Sequence, residues 1–172
     1  VLHAVNFVGL KPVFVDMETT FFNMDLNSIK SKIGKRTLSI ICVHCYGLAA
    51  DIFKIKKILK KNKIFLIEDA CLSFGGKLNN KYFGSFGDAS IISFGYDKIL
   101  SEAGGALIIK NKKIYFKVKK IINDNPVLGE VNLNKKRFLK KIDALEENIY
   151  IRKINAKIFY SNLPSNILIK PK

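Results

Sequence analysis

The sequence is short of acidic side chains, short of arginine, and carries an odd number of cysteines. Fourteen Asp and Glu stand against 30 Lys and Arg, for a formal net charge of +16. A balance of that sign invites a nucleic-acid partner. Only three of the 30 cations are arginine, however, the residue whose planar fork suits paired recognition of phosphate and base edges. A nucleic-acid-binding chain would more often show arginine, and aromatic side chains interleaved with the charge for base stacking. The charge is also lopsided, +5 over residues 1–109 and +11 over residues 110–172. Such a run reads as a solvated, lysine-rich surface, and no nucleic-acid partner is expected. Cys42, Cys45 and Cys71 are too few and too irregularly spaced for a secreted disulfide scaffold, and a cytoplasmic location fits them better. No apolar run approaches the roughly 18–20 residues that span a bilayer, so no membrane partner is expected. Nor is there a basic-then-apolar leader with a small-residue cleavage site. The first residue is Val1, inside the apolar stretch VLHAVNFVGL, which suggests a true N-terminus further upstream.

What is present is apolar material enough for a core: 48% of 172 residues. Short β-branched runs alternate with helical periodicity. Lys11–Met17 (KPVFVDM), Leu38–His44 (LSIICVH), Ile64–Asp69 (IFLIED), Ala89–Gly95 (ASIISFG) and Gly105–Lys110 (GALIIK) read as strands. Asp25 is placed to cap a helix with Leu26, Ile29 and Ile33 on one face. Asp51 is placed to cap another, in which Ile52, Ile55, Ile58 and Leu59 share a face while lysines project outward. This alternation predicts an α/β fold, a mostly parallel sheet flanked by helices. Past residue 123 the texture changes: NDNPVLGE is turn-like, and Lys136–Leu163 predicts one long amphipathic helix ended by Pro164. Two units follow, 1–123 as a partial sheet domain and 124–172 as a helix beginning a smaller helical or α+β domain.

In a parallel α/β sheet, ligands bind beyond the carboxyl ends of the strands. His44 ends one predicted strand, Glu68 and Asp69 end the next, Ser93 lies near the end of a third, and Lys98 follows in the loop beyond. These groups are expected to converge on one edge. A lysine in a partly desolvated, electropositive site loses its proton readily and forms an imine. A carboxylate against a pyridine nitrogen keeps it protonated, so that the ring accepts electrons. A hydroxyl in a glycine-containing turn suits a phosphate. Taken singly, Asp69 reads as a loop hydrogen-bonder, Ser93 as a turn residue and Lys98 as one surface lysine among many. Cys42-Val43-His44-Cys45 mimics a metal or redox motif, but it lies in a predicted strand, where residues three apart face opposite sides. A structural zinc site would also need a second ligand pair, and no metal is expected. Gly104-Gly105 is weak evidence for a phosphate cradle, and Gly75-Gly76 reads as a turn.

Several segments in order, GLKPVFVDME, FNMDLNSIKSKI, VHCYGLAADI, LIEDACLSFGG, GSFGDASIISFGYDKIL and EAGGALI, resemble the DegT-type sugar-nucleotide aminotransferases. The resemblance runs from about Ala4 to about Lys110. A weaker echo in RKINAKIFYSNL matches the family's helix of the form R, A, Y, L. It implies the large domain of a fold-type I, pyridoxal-phosphate-dependent enzyme, here incomplete. Lys98 in SFGYDK would form the Schiff base with pyridoxal 5'-phosphate and carry protons in the reaction. Asp69 in IEDAC would bond the pyridine nitrogen, Ser93 would hold the cofactor phosphate, and Cys71 would pack against the ring face. The implied reaction is amino transfer, from glutamate as donor, to a nucleotide-linked keto sugar in surface polysaccharide or related glycan synthesis. The implied assembly is a homodimer.

Leu72 departs from the pattern, for the family carries Gln or His there to bond the ring hydroxyl. Family members also run to more than twice this length. The remaining segments are expected to supply a Gly-Thr phosphate contact, a ring-stacking aromatic and part of the partner subunit's pocket. Relatives that dehydrate sugars carry His in place of the lysine, so Lys98 favours amino transfer over that alternative. An inactive fragment and a basic nucleic-acid-binding protein are the remaining readings.

Overall fold

The structure, a computed structural model, describes residues 1–19, 22–125 and 133–164. Six helices and six short strands occur among them: α1 (Leu2–Phe7), α2 (Leu26–Lys32), β1 (Ser39–Val43), α3 (Ile52–Asn62), β2 (Phe65–Asp69), β3 (Lys77–Leu78), β4 (Lys81–Tyr82), β5 (Ala89–Ser93), β6 (Gly105–Ile109), α4 (Lys112–Asn123), α5 (Lys135–Asp143) and α6 (Leu145–Ser161). None of the described helices is long and apolar enough to cross a membrane.

Both anticipated caps form. The Asp25 carboxylate accepts from the Ser28 N–H at 2.7 Å and that of Asp51 from the Lys54 N–H at 3.3 Å. Each satisfies an amide that the first helical turn leaves without a partner. The apolar stripe of α3 then buries Ile52, Ile55 and Leu59, and α2 adds Ile29. Full burial of each such side chain is worth about 1.5–3 kcal/mol.

The sheet has the order β1-β2-β5-β6, with the first three strands parallel and β6 antiparallel to β5. Ile40 and Cys42 of β1, Leu66 of β2 and Ile92 of β5 face the core alongside Phe83, Phe86 and Phe94. The result is the mostly parallel sheet flanked by helices that the sequence predicts. Val43 pairs with Asp69, and Asp69 with Ile91, so β1, β2 and β5 release their loops on the same edge.

Two expectations fail. Lys11–Met17 is not a strand: beyond an isolated bridge between Met17 and Met24 it pairs with nothing described. Pro12 lacks the N–H a ladder needs, and Val13 and Phe14 stay exposed. The predicted single helix over 136–163 is two, α5 and α6, separated at Ala144, whose φ of −82° and ψ of 0° leave the helical range. The break lets two apolar stripes dock separately. Phe138 packs edge-on against Phe94, with ring centroids 5.0 Å apart, while Leu145 is buried beside Gly75. Helix α4, capped by Asn111, and the β3–β4 hairpin go beyond the predicted elements. The hairpin turns through Asn79 and Asn80, both at positive φ as its tight turn requires. The turn-like NDNPVLGE lies largely outside the described residues.

Gly105 shows why β6 needs glycine where it starts. A Cβ there would overlap the Ile92 carbonyl oxygen on the neighbouring strand. Backbone cannot step aside, so Gly105→Ala is expected to lower stability by about 1–3 kcal/mol. Urea unfolding of the full-length protein checks this, and an unchanged midpoint would contradict the packing.

Candidate functional site

Asp69 is the last residue of the central strand β2 and is half-buried. Its Oδ1 accepts the Cys71 N–H at 3.1 Å, which turns the chain sharply and fixes the carboxylate over the strand end. Burial pushes the Cys71 thiol up to about 12, helped by the hydrogen bond and negative charge of Asp69, while the Lys98 ammonium works the other way. Cys71 remains an uncharged S–H, directed at the Ile91 carbonyl at 3.8 Å.

Ser93 ends β5, and its Oγ accepts the Gly95 N–H at 3.3 Å. A turn follows in which the Lys98 N–H donates to the Gly95 carbonyl at 3.0 Å. A side chain on Gly95 would meet Asp97, Ser93 and Lys98 at once, so the hydroxyl and the lysine flank one small open corner. The Lys98 side chain is 16% exposed, and its Nζ lies 2.6 Å from Asp97 Oδ2. That ammonium holds Asp97 below the usual carboxylate range. Asp97 is not among the residues the sequence singles out; an acid directly before the candidate lysine is the signal that could have found it.

His44 and Glu68 do not join this edge. Their side chains are fully buried, with His44 Nε2 3.0 Å from Glu68 Oε2. The reason is the twofold alternation of a strand: Asp69 points one way, so Glu68 must point the other, into the core. There Glu68 accepts the N–H groups of Gly84 at 2.9 Å, Phe86 at 2.5 Å and Gly87, and the Ser90 hydroxyl at 3.3 Å. The His44 ring stacks on Phe83 at 4.3 Å. Burial would raise the Glu68 carboxyl, but His44 and the three amides outweigh it and hold the group at about 2. The pair is an internal brace that ties residues 84–87 beneath the site.

Ser73 is a further brace. Its Oγ donates to the His44 carbonyl at 2.6 Å and accepts the Gly47 N–H at 3.1 Å, joining the loops after β1 and β2. Cys42 is buried in β1, and burial pushes its thiol up to about 12; Cys45 lies beyond the strand, in a short 3-10 turn. Leu72 is 45% exposed and offers no hydrogen-bonding group at the position of the family's Gln or His.

The model of the DegT/DnrJ/EryC1/StrS aminotransferase family matches residues 1–165. The chain belongs to that family. Among its curated relatives, a GDP-perosamine synthase of Escherichia coli O157:H7 is 35% identical over 115 residues, 67% of this chain and 32% of the relative. A GDP-4-keto-6-deoxy-D-mannose 3-dehydratase of Yersinia pseudotuberculosis is 35% identical over 108 residues, 62% of this chain and 28% of the relative. The chain thus spans about a third of the length of the curated relatives it matches. The crystal structure of a family aminotransferase from Brucella abortus superposes with a TM-score of 0.76 at 26% identity, covering 95% of this chain and 52% of that one. Family membership and the shared fold account for the sheet order.

Proposed function

We propose that the full-length protein containing this chain is a pyridoxal-phosphate-dependent aminotransferase that acts on a nucleotide-linked keto sugar, with glutamate as amino donor. The observation that supports this reading is that Asp69 ends β2 and Ser93 ends the adjacent parallel strand β5, with Lys98 in the turn that follows. Family membership and the sugar-aminating name of the perosamine synthase relative support it.

The residues present fit a phosphorylated pyridine aldehyde. When bound, such a cofactor supplies an electron sink for a carbanion formed beside the transferred nitrogen. Asp69, tethered by the Cys71 amide, would hold a proton on the pyridine nitrogen. The Ser93 hydroxyl and the Gly95 N–H would face the phosphate. Cys71 is neutral and would lie against the ring. Lys98 would bond the aldehyde carbon with loss of water and, once a substrate amine had displaced it, would take and return the proton at the carbon that bears the transferred nitrogen. Leu72 leaves the ring hydroxyl one partner short, at a cost of about 0.5–1.5 kcal/mol for an ordinary hydrogen bond. In this reading the assembly is a homodimer in the cytoplasm, and its product feeds surface polysaccharide synthesis.

The test is direct. Adding pyridoxal phosphate to the full-length protein should produce a visible absorbance band, and borohydride should trap the ligand on the peptide containing Lys98. No band, or an adduct on another lysine, defeats the assignment. The dehydratase among the relatives favours a second reading, sugar deoxygenation on the same cofactor. Product mass separates the two, because amine formation and loss of an oxygen change the sugar differently. Lys98, an imine-forming amine where the dehydrating relatives carry His, favours the former.

A further inference from the structure

The loop that carries Lys98 is closed at its neck by a charge cluster reaching over from α5. The Phe94 N–H donates to the Gly104 carbonyl at 2.9 Å, and the Glu102 N–H donates to the Phe94 carbonyl at 2.8 Å. The chain therefore leaves and re-enters the sheet at one residue, with Lys98 in the span between. The Glu102 side chain is 3% exposed. Arg137 Nε donates to its Oε1 at 2.9 Å, the same guanidinium donates through a second nitrogen to Oε2, and Lys141 Nζ lies 2.7 Å from Oε1. Lys141 also donates to the Ser101 carbonyl, and Phe138 of the same helix packs on Phe94 at the base of the loop.

An exposed ion pair would contribute little here. This carboxylate is withdrawn from water and held by a two-pronged guanidinium as well as an ammonium, the geometry in which such contacts are strong and directional. Arg137 and Lys141 hold the Glu102 carboxyl down at about 2. Inside the loop, by contrast, described hydrogen bonds are local: Gly95 to Ser93, Lys98 to Gly95, and the Lys98–Asp97 ion pair. Leu100, buried in the core, anchors its far end, and the rest of its placement against β2 depends on how its neck is seated.

We propose that Glu102 is a positioning residue through which α5, by way of Arg137 and Lys141, sets the Lys98 loop against Asp69. The proposal rests on the cofactor reading above. Without the clamp the loop keeps its residues but loses its seat, and a reacting atom displaced by about 1 Å can cost on the order of a hundredfold in rate.

The experiment follows the rate at which the full-length apoprotein develops its visible band with pyridoxal phosphate, together with amide hydrogen exchange over residues 95–101. Glu102→Gln and Arg137→Met should each slow the band roughly ten- to a hundredfold and speed exchange in the loop. Arg137→Lys, which keeps the charge and loses the fork, should fall between them and wild type. Leu145→Ala removes buried packing from the neighbouring helix without touching the clamp. It should lower the melting temperature while leaving the rate at the wild-type value, which separates positioning from general destabilisation. Should Glu102→Gln fail to fold, the two Arg137 variants carry the decision. Wild-type rates and unchanged loop exchange in the clamp variants overturn the proposal, as does a Leu145→Ala rate that falls as far as theirs. A failure of the cofactor reading looks different: the wild-type protein itself gives no band trapped on Lys98, and loop exchange in the clamp variants then decides whether the seat exists.

Discussion

Replacing Lys98 with alanine in the full-length protein should cut amine formation from a keto-sugar nucleotide by at least about 10⁴-fold, the scale of losing a nucleophile that is also the proton carrier. The fold should survive. The Lys98 side chain has one described polar partner, the exposed carboxylate of Asp97, and lies at the edge rather than within the core cluster. Steady-state turnover with glutamate, read beside the circular dichroism of the same sample, tests both halves. Turnover within tenfold of wild type would sink the role given to Lys98. Intact dichroism with turnover gone would place the loss in chemistry rather than folding.

Glu68→Ala should have the opposite signature, a large loss of stability. The substitution strips the partner from His44 and from the amides of Gly84, Phe86 and Gly87, all gathered around a fully buried carboxylate. Removing one side of a buried charge network costs about 3–5 kcal/mol. Urea unfolding at neutral pH should show a fall of that order, and a fall below about 1 kcal/mol would mean that the brace bears no weight. The sign with pH follows from the depressed carboxyl. Its ordinary value is 4.5 and its folded value about 2. Its contribution is therefore fully present above 4.5 and lost as pH falls through the interval down to about 2. Glu102, held down by Arg137 and Lys141, loses its contribution over the same interval. Acid should thus destabilise the wild type more steeply than the Glu68→Ala variant.

The sheet was readable because its strands are short β-branched runs between helices with caps, and each of those signals is local. Asp25 and Asp51 cap as expected because an N-cap needs only the next three residues. Lys11–Met17 misleads because β-propensity describes a side chain's fit to a pleated surface, and no strand stands beside it among the described residues. The break at Ala144 was hidden for a different reason: periodicity continues across it, and only the separate seats of Phe138 and Leu145 divide the stripe. At the candidate site, the family resemblance put forward Asp69, Cys71, Ser93 and Lys98, and strand-end placement agreed for Asp69 and Ser93. His44 and Glu68 were placed on the wrong side, although strand alternation alone puts Glu68 opposite Asp69. The partnership of Glu102 with Arg137 and Lys141 spans 35 residues or more and has no local signature, so only the folded chain reveals it.

The short contact between Lys98 and Asp97 bears on what happens before any ligand arrives. Attack on a carbonyl carbon needs the amine's lone pair, and an ammonium has none to give. In the proposed function the Lys98 amine therefore has to part from the Asp97 carboxylate before it attacks. Asp97 lies on the open side of the loop, so a ligand that enters along the edge can take its place. On that reading, binding begins with an exchange of partners at Lys98 rather than with entry into a vacant seat.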